Sequence, residues 1–173
     1  LKIEYDYVRQ DDENRCVNII YIQATGGGHT GFDKDISKWS DKRKVPSMRT
    51  YFNNMHTYHI SYAAFGNDGK SNTSYIRGRR YMPQRGLRGS ELKPEYASET
   101  LFAKGVKHHI TIVKKGREIH MRIENPDEVV YCYMENETFP VITEGRIGLR
   151  HMFTRSATYK NFTVGILSEK GPK

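Results

Sequence analysis

Cysteine, tryptophan and helical periodicity are all scarce in this chain of 173 residues, which has two cysteines and one tryptophan. Cys16 and Cys132 each lie in an apolar, strand-like run, so two buried thiols are expected rather than a disulfide, and the redox compartment stays open. A chain of this length buries roughly two-thirds of its unfolded surface and needs no covalent staple. No apolar run approaches the ~18 residues of a membrane span, and no signal peptide is visible. The chain starts in strand-like sequence without Met, which raises the expectation that a leader and one or two strands precede it. There is no Cys/His finger, basic helix or RRM-type aromatic box, which argues against nucleic acid as a partner.

What is present is alternation. Runs of β-branched and aromatic residues recur about every ten positions, separated by Gly, Asn, Asp and Pro, and the pattern predicts an all-β sandwich forming a single domain over 1–173. Residues 1–8 make the first strand, with Ile3, Tyr5 and Tyr7 on one face and Glu4 and Asp6 on the other. The acidic turn Asp11-Asp12-Glu13-Asn14 leads into a strand over 15–24. There Ile20 and Ile22 face the core while Tyr21 and Gln23 face away, although Ile19 fits this division imperfectly. An irregular segment over 25–55 opens on Gly26-Gly27-Gly28-His29 and carries Asp33, Asp35, Trp39 and Tyr51, residues suited to wall a cleft. The triple glycine lacks the Gly-Lys-Ser/Thr ending of a phosphate loop.

Further along, strands over 56–65 and 73–81 form a hairpin around Gly66-Asn67-Asp68-Gly69, and a second long loop over 82–104 runs from basic to acidic. Strands over 107–114 and 117–124 pair through Lys115-Gly116, with Ile110 and Ile112 facing Ile119, Met121 and Ile123 across the core. Strands over 129–134, 145–152 and 157–166 complete the chain.

The net charge of +8 and a pI near 9.4 favour an anionic partner. Twelve tyrosines would suit contact with a sugar, so an acidic polysaccharide meets the charge as well as nucleic acid does. The polar hairpin 56–81 concentrates this chemistry. His59 and Ser61 share one face of the first strand, and Tyr75, Arg77, Arg79 and Tyr81 share one face of the second. In the simplest register these form a single basic, hydroxyl-rich floor, which faces either a cleft or the opposite sheet. His29 with Asp33 or Asp35 is a candidate metal pair, but the spacing matches no strong motif. No cofactor is called for, and a structural calcium ion stays open.

Three patterns carry a family resemblance: Gly145-Arg146-Ile147-Gly148-Leu149-Arg150-His151-Met152 with the closing run Ala157 to Val164, His59-Ile60-Ser61-Tyr62, and Arg77 in the next strand. Together they resemble the YesU-like family (domain of unknown function 1961) of concanavalin-like jelly-roll carbohydrate-active proteins. The resemblance implies two curved antiparallel sheets and a secreted or periplasmic setting in bacteria that degrade acidic polysaccharides. It also implies that Arg150 lies in the cleft, beside the space left by Gly148.

Glycoside hydrolysis usually needs two carboxylates about 5 Å or about 6.5–9.5 Å apart. The Glu-x-Asp-x-x-Glu string of jelly-roll glucanases is missing, and the floor carries no obvious carboxylate pair. β-Elimination at a uronic acid asks instead for cations to hold the carboxylate and the enediolate, a role for Arg77, Arg79 and Arg150. It also needs a base near neutral pH, for which His59 is the candidate, and a tyrosine, Tyr81 or Tyr75, to protonate the departing O4 or to act as base itself. Tyr21, Gln23 and Ser61 would add hydrogen bonds to substrate. The expected activity is that of a lyase or dehydratase on an acidic poly- or oligosaccharide. A non-catalytic sugar-binding module is the alternative, and a glycoside hydrolase a more distant one.

Overall fold

The structure is a computed structural model that describes residues 1–66 and 73–168. Among the described residues, ten strands form two antiparallel five-stranded sheets packed face to face. The first sheet holds β1 (Lys2–Arg9), β6 (Lys107–Lys115), β7 (Glu118–Glu124), β8 (Val129–Glu135) and β10 (Ala157–Gly165), in the order β10-β1-β6-β7-β8. The second holds β2 (Asn18–Gly26), β3 (Met55–Ala63), β4 (Ser74–Tyr81), β5 (Glu91–Ser98) and β9 (Arg146–His151), in the order β5-β4-β3-β2-β9. Among the described residues, no helix is long and apolar enough to cross a membrane.

Alternation explains the core. Ile3, Tyr5 and Tyr7 of β1 meet Ile20 and Ile22 of β2 and Tyr58, Ile60 and Tyr62 of β3 in one buried cluster between the sheets. Ile110 and Ile112 belong to this core, but they do not face Ile119, Met121 and Ile123 across it. Ile110 pairs with Ile123 and Ile112 with Met121 side by side in one sheet, because the Lys115-Gly116 hairpin makes β6 and β7 neighbours. Gly78 lets Met134 of the opposite sheet pack against β4: a Cβ there would overlap the Met134 sulfur and sit 3.3 Å from Leu92 Cβ. Gly78→Val is therefore expected to cost about 1–3 kcal/mol through overpacking. Urea unfolding checks this, and an unchanged midpoint would show that the interface yields freely.

Three boundaries differ from the sequence reading. The loop expected over 82–104 contains β5, an edge strand whose Leu92 is buried while Lys93, Pro94 and Glu95 are exposed. Pro94 interrupts the alternation, and an edge position tolerates it. The segment 25–55 is not wholly irregular, since it includes two 3₁₀ turns and the short helix α1 (Met48–Phe52). Cys16 precedes β2 at a φ of 62° and is only half-buried, whereas Cys132 is buried; both are free thiols. Asn67, Asp68 and Gly69 of the expected turn lie outside the described residues.

A second apolar cluster sits on the outer face of the second sheet, where Ile19, Tyr21, Tyr75 and Tyr81 pack with Trp39, Tyr51 and Met55. The connection after β2 thus folds back over that face. Trp39 Nε1 donates to the Asp33 carbonyl at 2.9 Å, and Asp35 holds Arg146 of β9 through two bonds of 2.7 and 3.0 Å.

Candidate functional site

Strand register sets the polar floor. Tyr21 pairs with Gly148 on one side and His59 on the other, His59 pairs with Arg79, and Arg79 pairs with Glu91. A parallel row runs Arg150, Ile19, Ser61, Arg77. Residues paired across neighbouring strands point to the same side, so His59, Ser61, Tyr75, Arg77, Arg79, Tyr81, Tyr21 and Arg150 all share the outer face. At about 4.8 Å per strand, Arg150 and Arg77 stand roughly 14 Å apart on the backbone. His59 therefore faces away from the opposite sheet, since its neighbours Tyr58 and Ile60 fill the core.

His59 lies at the centre and is 2% exposed. Its ring stacks on Tyr81 at 4.8 Å and leans on Tyr21 at 5.6 Å. Both ring nitrogens are buried with no protein partner. Burial, followed by the charges of Arg79, Arg77 and Arg150, pushes the imidazole pKa well below its usual value, so His59 stays neutral. Burial pushes the Tyr81 phenol up, against the pull of Arg79 and Arg150, so it keeps its proton. Burial also raises the Tyr21 phenol, whose hydroxyl likewise has no partner.

The arginines are held differently. Arg77 lies over the Tyr75 ring at 4.8 Å and bonds Glu95 at 2.5 Å. Ser61 Oγ donates to Tyr75 Oη at 3.2 Å, so Tyr75 and Ser61 form the bed beneath that guanidinium. Arg79 approaches Glu91 at 3.5 Å and keeps a buried Nε with no partner. Arg150 stacks over Tyr51 at 4.1 Å; its Nε is buried and unpartnered, and among the described residues it has no carboxylate. Glu91 and Glu95 are the site residues that sequence reasoning missed. They were visible only as the acidic part of the loop expected over 82–104, and without a strand assignment for 91–98 nothing placed them opposite Arg79 and Arg77.

Gln23 is the exception among the candidates. It sits at a β-bulge with a φ of 53°, and Ala24 rather than Gln23 continues the outer face beside Tyr21. One extra residue in β2 ends the alternation that would have aligned Gln23 with Tyr21. The pairing of His29 with Asp33 or Asp35 also dissolves. His29 Nε2 sits 3.0 Å from Asn54 Oδ1, Lys38 bonds Asp33 at 2.9 Å, and Asp35 is taken by Arg146. Among the described residues no group of three His, Cys, Asp or Glu side chains is placed to hold a metal.

Fold and site together define a jelly-roll-like β-sandwich with an arginine-lined, histidine-centred patch on the outer face of one sheet. The chain belongs to the family described as domain of unknown function 1961 (DUF1961), whose model matches residues 1–164. No curated protein and no solved structure matches it.

Proposed function

We propose that this protein is a carbohydrate-active enzyme of the YesU-like type that performs β-elimination at a uronic acid in an acidic poly- or oligosaccharide, in a secreted or periplasmic setting. The observation that carries the reading is His59: a buried, neutral imidazole with both nitrogens unpartnered, stacked on a protonated tyrosine and ringed by three arginines. A buried polar group left unpaired costs roughly 1–3 kcal/mol, and a ligand that pairs it recovers that cost.

In this reading Arg77 and Arg79 hold the uronate carboxylate, Arg150 binds the substrate on the β9 side of the floor, and His59 takes the C5 proton. The electron pair of the C5–H bond enters the enediolate, which the guanidiniums stabilise. As that pair forms the C4=C5 double bond, the C4–O4 bond breaks and Tyr81 gives its proton to O4. The proton on His59 then returns to Tyr81 through solvent. The shifts divide the roles: a lowered imidazole serves as base and a raised phenol as acid. The arginines that disfavour an imidazolium in the free protein are offset once the substrate carboxylate arrives. Tyr75 and Ser61 position Arg77. If O4 carries a sugar, the reaction is a lyase cleavage; if it is a free hydroxyl, water leaves and the reaction is a dehydration.

The test is ultraviolet absorbance of a 4,5-unsaturated uronate over pectic, algal and glycosaminoglycan substrates. No signal on any of them would overturn the reading. Bound sugar without product would identify a binding module, and a saturated reducing sugar would turn attention to Glu91 and Glu95 as a hydrolytic pair.

The pH profile follows from the same shifts. Because the His59 pKa is lowered, the neutral base persists into acid, and the acid limb of kcat/KM is expected below pH 6.5, the ordinary imidazole value. The raised Tyr81 pKa puts the alkaline limb above pH 10. An acid limb at or above 6.5 would remove His59 as the base.

A further inference from the structure

Beside the His59 floor, a cleft of about 540 Å³ opens between β9 and the connection that carries Trp39 and Tyr51. Arg150 lines both places, so the cleft continues the floor toward the β9 edge. Two of its polar groups are buried without a partner: the Tyr21 hydroxyl and Arg150 Nε. Tyr21 itself is 4% exposed. The other two guanidiniums on the cleft wall are already occupied, Arg146 by Asp35 and Arg43 by the carbonyls of Ile36 and Ser37. Arg150 is thus the cation left for an incoming anion. The remaining lining is largely apolar and aromatic, with Tyr51 stacked on Tyr21 at 6.0 Å. A few convergent polar groups in an apolar wall are the usual make-up of a ligand pocket.

Gly148 keeps this space open. It pairs with Tyr21 on the outer face, and a Cβ there would meet the Tyr21 ring at 3.6 Å, an ordinary contact. Neither close packing nor a left-handed backbone requires glycine at this position, so a side chain is tolerated by the fold and would project into the cleft.

We propose that this cleft is a second sugar subsite, seating an anionic pyranose next to the uronate held at His59, with Gly148 as its specificity-determining residue. The assignment of the neighbouring ring rests on the elimination reading above. The anionic substituent is a carboxylate or a sulfate ester, either of which accepts charge-assisted hydrogen bonds from Arg150.

Calorimetric titration of the wild type and Gly148→Leu, both in a His59→Phe background that suppresses turnover, tests this. The probes are galacturonic acid, digalacturonate, and a saturated uronate–hexosamine disaccharide with and without a sulfate on the hexosamine. The wild type is expected to bind at least one anionic disaccharide about tenfold or more tightly than the monosaccharide, the worth of one charged hydrogen bond. Gly148→Leu should abolish that gain and leave monosaccharide affinity unchanged. Whether digalacturonate or the sulfated disaccharide shows the gain separates carboxylate from sulfate. Should Gly148→Leu fail to fold, Ser37→Phe fills the cleft from the opposite wall and carries the same expectation. The subsite is overturned if no probe binds, if the disaccharides gain nothing, if the unsulfated hexosamine gains equally, or if the gain survives both substitutions. Binding that obeys these expectations, with no unsaturated product from protein that retains His59, would uphold the subsite while sinking elimination. Unsaturated product from that protein without the affinity pattern would do the reverse.

Discussion

His59→Phe is expected to lower turnover by about 10²–10⁴-fold, the usual worth of a positioned general base, while leaving the protein as stable as before or more so. The two halves of this expectation have one cause. The imidazole makes no hydrogen bond to the protein, so its contribution to the fold is its ring, stacked between Tyr81 and Tyr21. Phenylalanine keeps a ring there and removes two unsatisfied polar atoms, a replacement that is near neutral or favourable in a buried site. Thermal unfolding and initial rates on the same preparation provide the check. Retained activity would exclude His59 as the base. A large loss of stability would mean that the imidazole supports the fold instead.

Asp11→Ala should cost about 3–5 kcal/mol of stability, because it leaves two guanidiniums buried without their carboxylate. Asp11 Oδ1 accepts from Arg155 Nη1 at 2.6 Å and from Arg9 Nε at 3.1 Å, and Oδ2 accepts the Ser156 amide at 2.6 Å. Both guanidiniums lie over Phe65, at 5.0 and 5.4 Å, and both donate to the Glu13 carbonyl. The cluster ties the turn after β1 to the start of β10. Burial works against the ionised carboxyl, but the Ser156 amide, Arg9 and Arg155 outweigh it and hold the pKa below 3.8. A lowered carboxyl pKa means that this stability is fully present above pH 3.8 and is lost as pH falls through the folded-state value. Urea unfolding from pH 7 down to pH 2 should therefore show wild type and Asp11→Ala converging in acid. Parallel curves over that range would assign the loss to packing rather than charge.

The polar floor was legible because a strand advertises its faces two residues at a time. His59 with Ser61, and Tyr75 through Tyr81, needed only alternation and one register to fall together, and the observed pairs Ser61–Arg77 and His59–Arg79 are that register. The same rule failed where the backbone leaves its period. One inserted residue in β2 takes Gln23 out of line, and Pro94 hides β5, and with it Glu91 and Glu95, inside what reads as a loop. Trp39 and Tyr51 were placed at a cleft wall, but that they fold down onto Tyr21 and close one side of the floor depends on contacts between distant segments.

Composition and periodicity were sufficient for an all-β sandwich, for the inward residues of β1, β2, β6 and β7, and for a basic face on the β3–β4 hairpin, but not for the carboxylates of Glu91 and Glu95 that β5 brings beside it. Those properties are local: they follow from the two-residue repeat and the apolar residues that must leave water. Which side of the sheet His59 serves, that its nitrogens go unpaired, that Glu91 and Glu95 engage Arg79 and Arg77, and that Gly148 opens a cleft beside Arg150 depend on strand order and on a long connection folding back. Burial and electrostatic shifts are sums over neighbours remote in sequence, and only the folded chain brings those neighbours together.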